Sequence, residues 1–244
     1  YGRTPKVAAP PAAPVTPPPA PAAPPAAPAA IGDILRITKV TPEPRAEELR
    51  AVFRAINSVH NVNGITSEIP IGYEKSTQWY GSFYSKRNAA SFAEPVKIRI
   101  DSSGGRRRST IAHEIGHYLD LMLPGTPGTF GTSAAYALLN GTTGTLASMM
   151  KTANMSVSPK LVKVMEELRN SPNIKRMQDA LDQPGRASVY ITLADGTQLN
   201  VDRSLLDYYT SEKEMWARAY AQYIGVRSGF QDIMDEIDVR RKPG

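Results

Sequence analysis

The chain has 244 residues, a formal net charge of +6 and no cysteine. Without cysteine there can be no disulfide and no thiolate ligand, so a zinc site would have to use His, Asp or Glu. No apolar run approaches the roughly 18 residues that a membrane-spanning helix requires, so we expect no membrane insertion. The modest positive charge permits weak contact with nucleic acid or acidic surfaces without demanding it.

Residues 1–30 are mostly proline and alanine, with 11 residues of each type. Such a stretch cannot build a packed core and favours extended polyproline II. It therefore predicts a linker over residues 1–30, ahead of one folded domain over residues 31–244. A ligand for a proline-reading domain is the alternative. Because the chain starts without Met and inside this low-complexity run, we expect it to be a fragment of a longer polypeptide.

The first part of the folded domain is expected to combine short strands with one clear helix. Residues Ile31–Val40 are compatible with a short strand. Residues Glu43–Ile56 are expected to form a helix, because apolar residues recur at helical spacing and Pro44 suits the first turn. His60 follows in a polar turn and is expected at the surface rather than as a ligand. The aromatic-rich stretch Ile65–Ala93 predicts strands or turns with aromatic core packing.

Residues Val96–Ile100 (VKIRI) alternate apolar and charged side chains, a pattern typical of a half-buried strand. A charged outer face is also how an exposed sheet edge is protected, so the segment is a candidate edge strand. The following residues, Asp101–Arg108, indicate a flexible loop. Its arginines, Arg106–Arg108, would be disfavoured by the dipole at a helix N-terminus. We therefore expect them to be solvated, with contact to an acidic substrate or a phosphate as the alternative.

The strongest motif lies in Ser109–Met122, which is expected to form a helix. Its first two residues can cap it, and a Pro-Gly pair soon follows its end. His113 and His117 are four residues apart, so both imidazoles lie on one helix face and can reach one cation. With Glu114 between them they form H-E-x-x-H, in which the carboxylate acts as general base on zinc-bound water. An ordinary buried helix explains the motif poorly, because unpaired buried polar groups are costly.

The remaining chain is predicted to be mostly helical, with one hairpin. The expected helices span Ser133–Asn140, Ser158–Leu168, Ile174–Leu181, Leu205–Ile224 and Gly229–Val239. Residues Ser188–Val201 are expected to form a hairpin that turns at Asp195–Gly196. Residues Leu146–Met155 stay ambiguous.

A catalytic zinc normally has three protein ligands, and HEIGH supplies two. Six residues after His117, where a metzincin places its third His, stands Leu123, so that class is excluded. Asp120 shares a face with both histidines, and we favour it as the partner that orients a ligand imidazole; a plain surface or capping role is the alternative. Glu214 is the better ligand because it would arrive from a second helix. Glu212 competes with it, and Glu214 also completes an S-x-x-E capping box.

The stretch Glu214-Met-Trp-Ala-Arg-Ala-Tyr, far downstream of HEIGH, resembles the gluzincin pattern in which E-x-x-A follows H-E-x-x-H. It is more closely similar to the zincin-like metallopeptidase domains of long polyvalent proteins from phages and other mobile elements. Those domains show HELGH and then E-[LMF]-[FW]-A-R-A-[FY]. Lethal-factor-like enzymes are similar in the same two helices. The match spans residues 96–224 through these two short motifs.

The resemblance implies an α+β, zincin-like fold. A small mixed sheet would place its edge strand over the HExxH helix, and a mostly helical C-terminal half would carry the glutamate ligand. It implies a zinc-dependent endopeptidase in which His113, His117 and Glu214 hold Zn²⁺ while Glu114 is the general base. Glu114 would then pass the proton to the leaving amine. The expected substrate is a peptide or protein, including a phage or mobile-element polyprotein that is cleaved in cis or in trans.

Further roles are expected around these ligands. Lethal-factor-like enzymes place a tyrosine shortly before the glutamate ligand, so Tyr208 is expected to stabilise the oxyanion, with Tyr209 and Tyr220 as rivals. Zincins pair the substrate backbone with an edge strand, and Val96–Ile100 fits that place. Arg218, one helical turn after the glutamate ligand, is expected to steady its carboxylate.

Two other functional classes stay open. A zincin fold without catalysis could serve as a binding or assembly module, although the intact HEIGH motif argues against it. Arg106–Arg108 and Arg240–Lys242 are basic clusters that would suit a nucleic-acid-binding module, although no nucleic-acid-binding motif accompanies them. A chain without cysteine is compatible with a bacterial or host cytoplasm or with a virion, and selects none of these.

Overall fold

The structure, a computed structural model, describes residues 30–62, 65, 68–87, 93–103, 105, 107–122, 159–183, 187–192 and 196–241. The linker expected over residues 1–30 therefore lies outside the described residues except for its last one. The helix expected over Ser133–Asn140 and the ambiguous Leu146–Met155 lie outside them too. Of the helices in the described ranges, none has the length and apolar character needed to cross a bilayer.

A four-stranded mixed sheet forms one layer of the fold. Its strands are β1 (Leu35–Ile37), β2 (Ile69–Glu74), β3 (Gly81–Arg87) and β4 (Ala93–Asp101), in the order β1-β2-β4-β3. β1, β2 and β4 are parallel neighbours, whereas β3 pairs antiparallel with β4. The predicted class, α+β with a small mixed sheet, is confirmed.

In the part of the chain that the structure describes, β1 and β3 are the edges of this sheet, so the prediction that Val96–Ile100 is an edge strand was wrong. This segment lies within β4, which has β2 on one side and β3 on the other. Its charged side chains, Lys97 and Arg99, mark the outer face of the sheet, where both pair with Glu74 and lie against the Tyr84 ring. The alternation of charged and apolar residues therefore indicated which face of β4 is solvated, and it did not indicate that β4 lacks a neighbouring strand on one side.

Two predicted strands are only partly reproduced. In β4, Ile98 and Ile100 are buried, but Val96 is exposed. The segment predicted as a strand over Ile31–Val40 begins with a short helix, α1 (Ile31–Ile34), and β1 follows it directly. The buried residues at both ends of α1 explain why apolar spacing alone suggested a strand.

Seven longer helices follow in the described part of the chain. They are α2 (Glu43–Val59), α3 (Arg107–Met122), α4 (Pro159–Arg169), α5 (Pro172–Leu181), α6 (Arg203–Thr210), α7 (Glu212–Ser228) and α8 (Gln231–Arg241). The predicted helices are confirmed for α2, α3, α4, α5 and α8, with small shifts at their ends. The segment predicted as one unit over Leu205–Ile224 is two helices, because the backbone at Ser211 is extended.

A hairpin connects α5 to α6, as predicted. Its strands are β5 (Ser188–Thr192) and β6 (Gln198–Asp202). The antiparallel ladder ends where Thr192 pairs with Gln198, so residues 193–197 join the strands. The tight turn expected at Asp195–Gly196 lies partly outside the described residues, which omit 193–195. The hairpin, α5 and α6 share a small apolar cluster of their own, formed by Ala180, Val189, Ile191 and Leu206.

The main core is built around α3. Every residue of α3 from Ser109 to Asp120 is buried, because β3 and β4 pack on it from one side while α2, α7 and α8 surround the rest. A helix covered on all sides needs no polar face, which fits the mixed apolar and functional sequence of this segment. Any polar side chain on it must find its partner inside the protein.

The N-terminus of α3 corrects two predictions. The helix begins at Arg107, so the expected loop is shorter and neither Ser109 nor Thr110 is its cap. The cap comes instead from α8: the Glu236 carboxylate accepts the N–H groups of Arg108 and Ser109 at 3.3 and 2.7 Å. This carboxylate supplies the negative charge that a helix N-terminus favours, so arginines are tolerated in the first turn.

Candidate metal centre

Two histidines of α3 meet on one face of the helix. His113 and His117 are four residues apart, so their side chains lie one turn above each other. The ring centroids are 4.7 Å apart and the ring planes are perpendicular. Both residues are buried. The prediction that HEIGH aligns two imidazoles is confirmed.

The first turn of α7 brings a carboxylate between them. Nε2 of His113 is 3.3 Å from one oxygen of Glu214, and Nε2 of His117 is 3.2 Å from the other. Glu214 is 2% exposed. One ligand atom from each of the three residues lies within 4.8 Å of the others, and this is the one such group in the described ranges. The buried cluster of His113, His117 and Glu214, called the triad below, could hold a metal ion.

A close contact between α3 and α7 makes the triad possible. A Cβ at Gly116 would come within 3.0 Å of the Tyr220 ring and 3.3 Å of the Ala217 backbone. Nε1 of Trp216 donates a hydrogen bond to the Gly116 carbonyl at 3.1 Å. Small residues on both helices thus let the two backbones approach. The glycine of HEIGH and the Trp-Ala pair after Glu214 are the sequence signal for this contact, which was not predicted.

The types of donor atom suit a divalent metal ion, and zinc offers a spacing for comparison. Metal–ligand bonds of about 2.0–2.1 Å at tetrahedral angles place neighbouring ligand atoms about 3.4 Å apart. The N–O distances of 3.3 and 3.2 Å in the triad are close to that spacing. They are long for N–H···O hydrogen bonds, which are typically about 2.9 Å. Imidazole and carboxylate donors also suit other divalent metals, so the triad by itself does not select zinc.

The alternative roles considered for the two glutamates of this turn are not observed. Ser211, the N-cap of α7, makes no side-chain bond to the helix, and its hydroxyl donates instead to the Tyr208 carbonyl at 2.8 Å. The carboxylate of Glu214 points to the histidines, so the interpretation as a capping box alone was wrong. Glu212, the competing ligand, is held by an ion pair with Arg169 of α4.

Arg218 steadies the carboxylate of Glu214, as predicted from its position one turn later. Its guanidinium is 3.3 Å from the carboxylate and also donates to the Tyr209 carbonyl at 3.0 Å. Burial alone would raise the pKa of Glu214, but the hydrogen bonds from His113 and His117 outweigh it and hold that pKa below its usual range. Burial lowers the pKa of His113 to about 4. The triad therefore favours an ionised carboxylate beside a neutral His113, as metal ligation requires. Burial also acts to lower the pKa of His117, but its contact with Glu214 and the charge of Glu114 outweigh burial and raise that pKa.

Glu114 lies beside the edge strand β3. Burial raises the pKa of its carboxyl to about 7, although the nearby His117 and the backbone N–H of Phe83, which donates to it, act in the opposite direction. A Cβ at Gly81 would come within 2.8 Å of a Glu114 oxygen and 2.5 Å of Thr110. The glycine thus lets the edge strand pass directly over this carboxyl group.

Of the three candidate tyrosines, Tyr208 interacts with the triad. Burial raises its pKa, and so do the charge of the Glu214 carboxylate and the interaction of the Tyr208 hydroxyl with it. The Tyr209 ring lies against the guanidinium of Arg218. The Tyr220 hydroxyl is 3.0 Å from Nε2 of His60. His60 lies outside the triad, as predicted, but it is half-buried rather than at the surface.

Asp120 does not orient His113. Nδ1 of His113 is buried and has no hydrogen-bond partner in the described part of the chain. Asp120 itself is fully buried, so the alternative of a surface role was wrong, whereas orientation of the other ligand imidazole, His117, stays a prediction. It is not part of the triad.

The basic cluster before α3 is engaged inside the protein. The Arg107 guanidinium pairs with Glu48 of α2 at 3.0 Å, and Arg108 pairs with Asp232 of α8 at 3.2 Å. For Arg107 and Arg108 the expectation of solvated arginines was wrong, because Glu48 and α8 reach them. Arg106 lies outside the described residues. The side chains of the second cluster, Arg240–Lys242, lie outside the described residues.

Comparison with known proteins adds no relative. The chain matches no protein-family model, and no curated protein is significantly similar to it. A function must therefore be argued from the triad and its surroundings.

Proposed function

We propose that the protein is a zinc-dependent endopeptidase with a zincin-like fold. The observation that carries the proposal is the buried triad of His113, His117 and Glu214, whose donor atoms are of types that bind zinc and lie within 4.8 Å of one another. Structural zinc sites are usually closed by four protein ligands, whereas catalytic sites combine three with a position for water. Three donors in the described part of the chain favour the catalytic kind.

Glu114 is the proposed general base. A zinc ion held by the triad would acidify a water molecule and polarise a peptide carbonyl. The buried carboxyl of Glu114 is adjacent in sequence to His113 and borders the same space, so it can take the proton of the attacking water and deliver it to the leaving amine. A site that only stored metal would have no use for this additional buried carboxyl.

The proposed substrate is a peptide or protein in extended conformation. β3 replaces Val96–Ile100 as the strand that pairs with it, because β3 is an edge of the sheet and passes over Glu114. Its backbone can bind a peptide by adding a strand, which positions a peptide bond without regard to most side chains. A polyprotein of a phage or another mobile element, cleaved in cis or in trans, remains the proposed biological substrate.

Tyr208 is proposed to donate to the oxyanion that forms during attack. Its hydroxyl already reaches the oxygen atoms of the triad through Glu214, and a donor aimed at developing charge is the usual partner of a metal in such sites. Arg218 is proposed to hold Glu214 in the ligand position, since it contacts the carboxylate directly.

The test compares wild type with Glu114→Gln. Each protein is loaded with zinc, its metal content is measured by mass spectrometry, and hydrolysis of an unfolded protein such as casein is followed. We expect full metal content in both and a loss of hydrolysis of roughly 100- to 10,000-fold in the variant, as for removal of a general base. Glu166→Gln, an exposed glutamate of α4, is the matched control and should retain activity.

The two alternative functions give different results. A module without catalysis would bind metal but leave casein intact in wild type as well as in Glu114→Gln. Equal hydrolysis by the two proteins would remove Glu114 from the mechanism. A nucleic-acid-binding module would bind DNA or RNA with strong salt dependence and would not need the triad.

A further inference from the structure

Two cations near the triad flank one tyrosine ring. The guanidinium carbon of Arg218 is 5.7 Å from the centroid of the Tyr208 ring, and Nζ of Lys213 is 6.0 Å from the same centroid. The Tyr208 residue is 45% exposed while its hydroxyl reaches Glu214. A ligand that approaches the triad past this ring therefore meets both positive charges.

The two cations have different tasks. Arg218 is fixed by the Glu214 carboxylate and the Tyr209 carbonyl. Nζ of Lys213 lies near the same Tyr208 ring, and its charge also acts on Glu114 and His117. Its ammonium is a compact charge on a flexible stem, so it can exchange partners and move toward a ligand. Lys213 is thus a second positive group whose charge acts on the general base.

Placing a lysine here works against the local rules of helix formation. Lys213 lies in the first turn of α7, where a cation interacts unfavourably with the helix dipole. A residue that breaks a local rule at a site is expected to serve that site. A divalent cation in the triad would balance the negative charges of Glu114 and Glu214. Lys213 and Arg218 would then leave a net positive charge around Tyr208.

We infer that Lys213 recognises a carboxylate on the peptide that occupies the site, next to the bond to be cleaved. This inference rests on the proposed peptidase function and names the class of its substrates. An acidic side chain, Asp or Glu, is one source of the carboxylate, and the free C-terminus of a peptide is the other. In both cases the ammonium forms a charge-assisted contact that a neutral isostere cannot make.

The test uses a pool of short, unstructured peptides that differ by Glu, Gln or Lys at one position, each made with a free and an amidated C-terminus. Cleavage is mapped by mass spectrometry for zinc-loaded wild type, Lys213→Met, Lys213→Arg and Lys213→Glu. We expect wild type and Lys213→Arg to prefer Glu over Gln by roughly fivefold, Lys213→Met to lose this preference and Lys213→Glu to prefer Lys. Such a reversal cannot come from a merely structural role.

Binding of the same peptides to zinc-loaded Glu114→Gln, with and without Lys213→Met, separates this inference from the proposed function. Cleavage with the same preference in wild type and Lys213→Met would overturn the inference and leave the peptidase intact. Preferential binding of Glu peptides that is lost in Lys213→Met, without cleavage by wild type, would support carboxylate recognition and reject the peptidase. A preference confined to free C-termini would assign the carboxylate to the end of the peptide.

Discussion

The two helices that supply the metal ligands are held in different ways. In α3 every residue from Ser109 to Asp120 is buried, and Glu236 caps the first turn from outside the helix. In α7 the ligand stands in the first turn, directly after the break at Ser211, and the N-cap makes no side-chain bond to that turn. The triad therefore joins a pair of ligands fixed by burial on all sides to a single ligand near a helix end.

Contacts between side chains hold the first turn of α7, which has no side-chain cap. Arg218 contacts Glu214 from one turn later, and Arg169 of α4 holds Glu212, the first residue of α7. Helix ends are the least stable part of a helix, so these two contacts carry much of the precision of the third ligand. The comparison teaches that the histidine pair belongs to the core, whereas the glutamate depends on a few individual contacts that mutation can remove.

The largest effect is expected from removing the third ligand. Glu214→Ala leaves two imidazoles to hold the metal, so zinc affinity should fall by more than about 100-fold, beyond what loss of a supporting contact causes. Competition with a chelating dye measures it. Glu212→Ala is the comparison variant, because Glu212 is as buried and lies in the same turn but faces Arg169, so only the smaller loss that comes from a looser turn is expected. An equal loss in both variants would mean that the turn and not the ligand matters.

The different supports of the two helices explain what could be predicted from the sequence. The histidine pair follows from spacing within one helix, so His113 and His117 were predicted directly. Glu214 required a resemblance, because nothing local indicates that the first turn of α7 meets α3. The contact is made by Gly116 against Ala217, and pairs of small residues far apart in the chain are common without such a contact.

Features that depend on distant neighbours were missed for the same reason. The alternation in Val96–Ile100 reports which face of a strand is solvated, but the position of a strand in the sheet depends on β3, which pairs beside it. The cap of α3 comes from Glu236, more than a hundred residues away. Arg108 was expected to be solvated because its partner Asp232 also lies on α8. Local pattern predicted the elements, and their neighbours were set by the tertiary fold.

The next effect concerns the edge strand above α3. In Gly81→Ala the new methyl group would collide with Glu114 and Thr110, so the general base should be displaced while the triad keeps its metal. Because small displacements of a catalytic group can lower rates by about 100-fold, we expect a loss of that order in kcat with zinc affinity nearly unchanged. Gly105→Ala, where a Cβ meets no atom within 4 Å, is the control. Loss of zinc in Gly81→Ala would contradict the expectation.

A smaller effect should follow from loosening the first turn of α7. Arg218→Met keeps most of the apolar stem but removes the contact to Glu214, so zinc affinity should fall by about tenfold, the lower end of losses for groups that orient a ligand. Arg227→Met, an exposed arginine in the last turn of the same helix, should leave zinc affinity unchanged. Unchanged affinity in Arg218→Met would show that packing alone positions the glutamate.

The smallest effect is expected at the cap of α3. Glu236→Ala leaves the N–H groups of Arg108 and Ser109 without their acceptor, which should lower the free energy of unfolding by about 1–2 kcal/mol. Urea unfolding measures this loss, and Asp235→Ala, which removes an exposed contact to Gln231 on the same helix, should have little effect. Zinc affinity should stay nearly unchanged in Glu236→Ala, because burial on all sides fixes the histidines one turn further along. A drop in zinc affinity as large as that of Arg218→Met would mean that α3 depends on single contacts as much as α7 does.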